Sequence, residues 1–226
     1  MSDHANEIVL LSRKDAIATI TLNRPKARNA LSEAMLAAIA SIIADVNQDE
    51  KLRAVIVSHN GPGFCAGHDL KEMNNHRTDD DGGRAYYDRL FAACSDVMMS
   101  IVKSPKIFIA RVNGIATAAG CQLVAACDMA IASDHARFGV NGINAGLFCS
   151  TPMVSLSRNV GRKTAMELLT TGHLMSAHEA VAAGVINRAV ASDQLDTEIN
   201  DMATAVAAKP ASVLALGKQA FYRQLE

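Results

Sequence analysis

Two stretches of small residues offer backbone chemistry. In the first, Ala116, Thr117, Ala118, Ala119 and Gly120 follow an apolar, β-branched run at residues 106–112 and an Asn113-Gly114 turn. Residues 121–126 then read as a short helix, and residues 129–132 as a strand. N–H groups that open a helix are unpaired and carry the positive end of its dipole, so a ligand oxygen can sit on them where no Cβ blocks the way. Tight helix–strand packing would welcome the same small residues, and on this stretch alone both readings stand open. The second stretch, Phe64-Cys65-Ala66-Gly67-His68-Asp69-Leu70, also follows a strand and a glycine-rich turn and opens a helical turn. Two such openings facing each other would aim two N–H groups at one oxygen, about 2.7–3.1 Å from a developing charge.

The elements that must position these turns alternate along the chain. Residues 8–11 and 17–22 read as a hairpin joined by the polar residues 12–15, followed by a basic loop at residues 23–29. Ser32 caps a helix with apolar Met35, Ile39, Ile42, Ile43 and Val46 at helical spacing. Residues 54–58 form a strand, residues 61–69 a glycine-rich loop, residues 74–83 a polar, mobile loop, and residues 84–102 a helix. Further on come a brief strand at 136–140, a loop at 141–150, and a helix that Ser150 or Thr151 caps with Pro152 in its first turn. A helix at 162–171 stops at Gly172. Ser176 and Glu179 form a capping box for the next, which stops at Gly184. A strand at 185–190 and helices at 194–209 and 211–224 complete an α/β pattern.

Half of the 226 residues are hydrophobic and the formal net charge is −1. That gives no electrostatic case for nucleic acid or an anionic membrane. No apolar run approaches a membrane span of about 18 residues, and the opening residues lack the pattern of a secretory signal. The five cysteines (65, 94, 121, 127 and 149) are scattered, without metal-site spacing, and read as reduced core thiols of a cytoplasmic protein.

The chain resembles the enoyl-CoA hydratase/isomerase family, the crotonases. ITLNRPKARNAL, FCAGHDLKEM, VNGIATAAGCQLVAACDMAIAS and GRKTAMELLTTGHLMSAHEAVAAGVINRAV carry the likeness, from about Ile8 to the end. GLFCSTP and ATAAGCQL point to one branch of it. The resemblance implies a spiral of ββα units over residues 1–190 as the acyl-CoA-binding core, with residues 191–226 starting a helical oligomerisation region. It implies trimers or hexamers, an acyl-CoA thioester from fatty-acid or related metabolism as the ligand, and no cofactor beyond the CoA of the substrate. Family members usually continue with further helices, so this region is expected to be truncated.

By match to the family motifs, the oxyanion N–H groups belong to His68 and Ala119. CoA runs along Lys26, Ala27 and Ala30 and the backbone of Ala66, Gly67, Asp69 and Leu70. The two glutamates that activate water in the hydratases fall on Gln122 and Gly142, neither of which transfers a proton at neutral pH. Efficient hydration is therefore not expected. Lyase or isomerase chemistry through the polarised thioester, a non-catalytic acyl-CoA binder, and a ligand-free scaffold remain as readings. Restoring both carboxylates, Gln122→Glu with Gly142→Glu, is expected to raise hydration. Among groups able to titrate, His68 has the most suitable range, against a solvent-facing role in which only its N–H matters. Asp69 reads as a helix cap and Cys149 as core. Gln122, Asn141 and Asn144 either orient a water or substrate or tie down loops.

Overall fold

The computed structural model describes residues 7–225. Its first strand, β1 (Val9–Lys14), pairs antiparallel with β2 (Ile17–Leu22), in register from Val9↔Leu22 to Lys14↔Ile17. The connection is therefore only Asp15-Ala16, with Asp15 at φ 54°, not residues 12–15. Ser12, Arg13 and Lys14 join the strand because β1 is the sheet edge, where polar side chains stay in water.

Helix α1 (Glu33–Gln48) starts where read: the Ser32 hydroxyl accepts from the Met35 N–H at 3.2 Å, and Met35, Leu36, Ile39, Ile43 and Val46 are buried. The next strand, β3 (Ala54–His59), is buried along its whole length, as a central parallel strand must be. A short strand, β4 (Gly63–Cys65), lies inside the stretch expected to be loop, and α2 (Leu70–Asn75) follows. Next come α3 (Arg84–Val102), β5 (Ile107–Val112), β6 (Ile115–Thr117) and α4 (Ala119–Ala126), and then β7 (Met129–Ser133), β8 (Arg137–Gly139) and α5 (Ser150–Asn159). Cys149, not Ser150 or Thr151, stands at the N-cap of α5, and its side chain makes no capping bond. The chain continues through α6 (Arg162–Thr171), β9 (Met175–Ser176), α7 (Ala177–Ala183), β10 (Arg188–Val190), α8 (Leu195–Ala207) and α9 (Ala211–Leu225). The capping box of Ser176 and Glu179 is formed.

The strands sort into two sheets by a repeating rule. Three successive units send their first strand (β3, β5, β7) to a six-stranded sheet of order β1-β2-β3-β5-β7-β10. Their second strand (β4, β6, β8) goes to a four-stranded sheet of order β4-β6-β8-β9. Each ββ pair is followed by a helix, so the chain winds as a spiral of ββα turns. The main core fills the space between the sheets and α1, α3 and α4. On the other face of the large sheet, Leu195, Ile199 and Ala203 of α8 pack on Ala54, Ile56, Ile109 and Ile131. No described helix is long and apolar enough to cross a membrane.

Candidate active site

The two small-residue turns occupy equivalent places in successive ββα units, between β4 and α2 and between β6 and α4. Because β4 and β6 pair in parallel, with Gly63 beside Ile115 and Cys65 beside Ala116, the turns emerge side by side. They then touch. A Cβ on Gly67 would stand 2.9 Å from the Ala118 Cβ and 3.4 Å from the Ala119 nitrogen, and one on Gly120 would run into the Cys65 carbonyl. Close packing of the turns and an open backbone are thus served by the same small residues.

The first turn is clamped from one side. Ala66 N–H donates to the Arg28 carbonyl (3.1 Å), Leu31 N–H to the Gly67 carbonyl (2.8 Å) and Asp69 N–H to the Leu31 carbonyl (3.1 Å). The amide of His68, between these bonds, faces away from the clamp. The N–H groups of His68 and Ala119 have no acceptor among the described residues. Ala118 sits at φ 49°, ψ −122°, a conformation that strains any residue with a Cβ. Its N–H is fixed on Gly139 (2.8 Å) and its carbonyl accepts from Gln122 N–H (3.0 Å), so the strained residue is held at both ends.

Arg24 and Asn29 build the clamp. Asn29 is fully buried, with φ 53°; its amide donates to the carbonyls of Asn60 (3.0 Å) and Gly63 (2.9 Å) and accepts from Arg24 N–H (2.8 Å). The Arg24 guanidinium reaches the Ala30 carbonyl (3.0 Å), the Ser32 hydroxyl (3.0 Å) and the Asp69 carboxylate (3.1 Å). Asp69 also accepts from the N–H groups of Lys71 (3.1 Å) and Glu72 (3.3 Å). Burial works to raise its pKa, but Arg24 and these amides hold it below the ordinary carboxylate range. Asp69 is thus a helix cap and ion-pair partner in this structure.

Two cavities meet at the first turn. A groove of about 840 Å³ is lined by Lys26, Ala27, Ala30, Ala66, His68, Asp69 and Leu70, together with Arg24, Arg28 and Lys71. A more apolar cavity of about 630 Å³ is lined by Leu70, Lys71, Met73, Tyr87, Phe91, Ala145 and Leu147. Leu70 and Lys71 border both. Arg24, Tyr87 and Phe91 were not singled out from the sequence. Only the run of basic residues around Arg24 could have pointed to one of them, because Tyr87 and Phe91 lie off the periodic core face of α3.

His68 departs from a solvent-facing loop residue. Its ring lies edge-on to Phe91, centroids 5.3 Å apart, and both ring nitrogens are shielded without a hydrogen-bond partner among the described residues. Burial pushes its pKa below the usual histidine value, against a smaller opposing effect from the Leu31 backbone. Gln122 is buried in the first turns of α4, its side-chain oxygen 4.0 Å from the Cys94 sulfur. Gly142 is the second residue of a short 3-10 turn (Asn141–Ala145). Its φ is not positive, yet a Cβ there would meet the Leu147 carbonyl at 2.6 Å and the Cys149 sulfur at 2.7 Å. Gly142 N–H donates to that sulfur at 3.3 Å. Asn144 is turned toward Gly172, whose carbonyl its amide meets at 3.5 Å, which ties a loop to the end of α6. All five cysteines are free and buried, and burial pushes the thiols of Cys65, Cys94 and Cys121 up to about 12, which removes them as nucleophiles. No group of three or more His, Cys, Asp or Glu able to hold a metal occurs among the described residues.

A spiral of ββα units with paired backbone turns at its strand–helix junctions defines the crotonase class. The sequence model of the family described as enoyl-CoA hydratase/isomerase matches residues 12–226, and the chain belongs to that family. A Rattus norvegicus relative, "Enoyl-CoA hydratase domain-containing protein 3, mitochondrial", is 48% identical over 213 residues, which are 94% of this chain and 69% of the relative. The likeness in GLFCSTP and ATAAGCQL is to this branch. A solved enoyl-CoA hydratase from Mycobacterium smegmatis superposes with a TM-score of 0.94 at 54% identity, over 98% of this chain and 84% of that one. The solved human enoyl-CoA hydratase domain-containing protein 3 gives 0.92 at 45%, over 97% and 85%.

These relatives correct one expectation. The rat protein and its mouse, human and Xenopus counterparts are named as mitochondrial, which overturns the expectation of a cytoplasmic protein. Reduced, buried thiols describe redox surroundings and carry no address.

Proposed function

We propose that the chain binds an acyl-CoA thioester and polarises its carbonyl between the N–H groups of His68 and Ala119. The observation that carries this reading is the contact of the two turns at Gly67 and Ala118, which brings two unpaired amides together. The strain at Ala118 supports it, because a conformation that costs of order 1–3 kcal/mol is held in place by bonds on both sides. In this reading Lys26, Arg28 and Lys71 meet the phosphates of CoA, and the apolar cavity takes the acyl chain. The CoA is part of the substrate, and no separate cofactor is required.

The chemistry that fits is formation of an enolate from the thioester. Water addition by the two-glutamate route does not fit, because Gln122 and Gly142 stand at the positions matched to those glutamates. A non-catalytic acyl-CoA binder is the second reading, favoured by the packing of Cys149 and Leu147 over Gly142. Association with further copies of the chain is supported by α9, where Val213, Leu216, Phe221 and Leu225 are each more than half exposed. Calorimetric titration with crotonyl-CoA tests the site: the natural chain binds, and Ala119→Val, which crowds the second turn with a branched side chain, binds more weakly. Equal affinity in a folded Ala119→Val rejects the site.

A further inference from the structure

We infer that the His68 imidazole is the acid–base group of this site, moving a proton on and off the carbon next to the thioester carbonyl; this rests on the acyl-CoA reading above. The argument is one of place. Among the described residues that line the two cavities, His68 alone combines a titratable group in the neutral range with ring nitrogens shielded from bulk water. It lines the polar groove, while its ring packs on Phe91, which lines the apolar cavity. Both ring nitrogens lack a partner among the described residues. Shielded ring nitrogens without a hydrogen bond of good geometry are an unfavourable arrangement that a substrate proton or a bound water would relieve. The carboxylates that share its groove are engaged, Asp69 by Arg24 and two amides and Glu72 by the Glu33 N–H at 3.1 Å, and the sulfur of nearby Cys65 is a buried thiol. The neutral state that burial favours is the state that accepts a proton.

The step balances within the substrate and the ring. A neutral ring nitrogen takes the proton from the α-carbon. The C–H electron pair becomes the carbon–carbon double bond of the enolate, and the carbonyl π pair moves onto the oxygen held by the two N–H groups. Return of the proton to the same carbon gives exchange, and return further along a conjugated chain gives a shift of the double bond. One acid–base group suffices for both, whereas the addition of water by the two-glutamate route needs two.

The experiment follows exchange of the α-hydrogens of butyryl-CoA in D₂O by NMR, with calorimetric titration of the same thioester in parallel. The natural chain is expected to bind butyryl-CoA and to catalyse exchange. His68→Phe keeps the backbone N–H and the ring packing but has no nitrogen, and it is expected to lower the exchange rate by about 10²–10⁴-fold, far more than it weakens binding. His68→Gln gives the same outcome with a polar side chain, and it carries the test should the phenylalanine variant not fold. Binding by the natural chain without exchange, or exchange in a folded variant at the natural rate, overturns the role of the imidazole and leaves the binding site standing. Absence of butyryl-CoA binding overturns both.

Discussion

Gly67 lies against Ala118, so close that a Cβ on the glycine would stand 2.9 Å from the Cβ of the alanine. This is the contact through which two turns, 51 residues apart in numbering (118 − 67), become one surface. Gly67 also sits at φ +92°, a region that L side chains rarely adopt. Gly67→Ala is therefore expected to lose about 2–4 kcal/mol of stability, from backbone strain and crowding together. Thermal melting checks this, and a Gly67→Ala chain that melts with the natural one would mean that the turns do not pack as described.

Installing carboxylates at 122 and 142 is not expected to produce a hydratase. The sequence alone leads one to expect a gain. The backbone there is ordinary, but the space is taken by the Leu147 carbonyl and the Cys149 sulfur. Gly142→Glu should instead displace the loop and cost about 1–3 kcal/mol. The measurement is crotonyl-CoA hydration by the natural chain, both single variants and the double variant, at equal folded concentration. A clear gain in the double variant would show that the loop yields without penalty.

Lys218 should prove to be what docks α9. Its buried ammonium donates to the carbonyls of Ile101 (2.8 Å) and Lys106 (2.8 Å) and to the Asp128 carboxylate (2.7 Å), which also accepts from the Tyr222 hydroxyl (2.9 Å). Burial pulls the lysine pKa down while Asp128 pushes it back up, so the pair depends on both members. Lys218→Met leaves Asp128 buried beside no cation, which costs about 3–5 kcal/mol in such pairs. Hydrogen exchange should show α9 opening well before the sheet, and a melting temperature unchanged by Lys218→Met would contradict this.

His59 gives the fold a pH dependence. It is buried at the end of β3, its Nε2 accepting from Asn113 N–H at 3.2 Å, and burial with the nearby Arg111 pushes its pKa from 6.5 down to about 4. Between these values the unfolded chain takes up a proton that the folded chain refuses. Stability accordingly falls as pH is lowered through that window, by about 3 kcal/mol in total. Glutamine at 59 offers an oxygen to Asn113 without that proton. The drop in melting temperature from pH 6.5 to 4 should be smaller in His59→Gln, and parallel curves for the two chains would rule His59 out as the cause.

Local patterns carried much of the fold. The cap at Ser32, the capping box at Ser176 and Glu179, the periodic face of α3 and the β-branched run of β5 each depend on residues a few positions apart. What stayed hidden depends on distant partners. β4 is three residues, the first of them a glycine, and is a strand only because β6 lies beside it. The two turns were legible as small-residue repeats, but their contact came from sheet pairing. The seclusion of the His68 ring depends on Phe91, on another helix, and the crowding at Gly142 depends on how residues 147–149 fold back. Neither leaves a local mark in the sequence.

The central claim is that this backbone polarises a thioester carbonyl, and difference infrared spectroscopy tests it most directly. Crotonyl-CoA labelled with ¹³C at its carbonyl, bound to the natural chain, should show that carbonyl band moved to lower frequency than in free solution, because two N–H donors draw charge onto the oxygen. A bound ligand whose carbonyl band stays at its solution frequency would contradict the account.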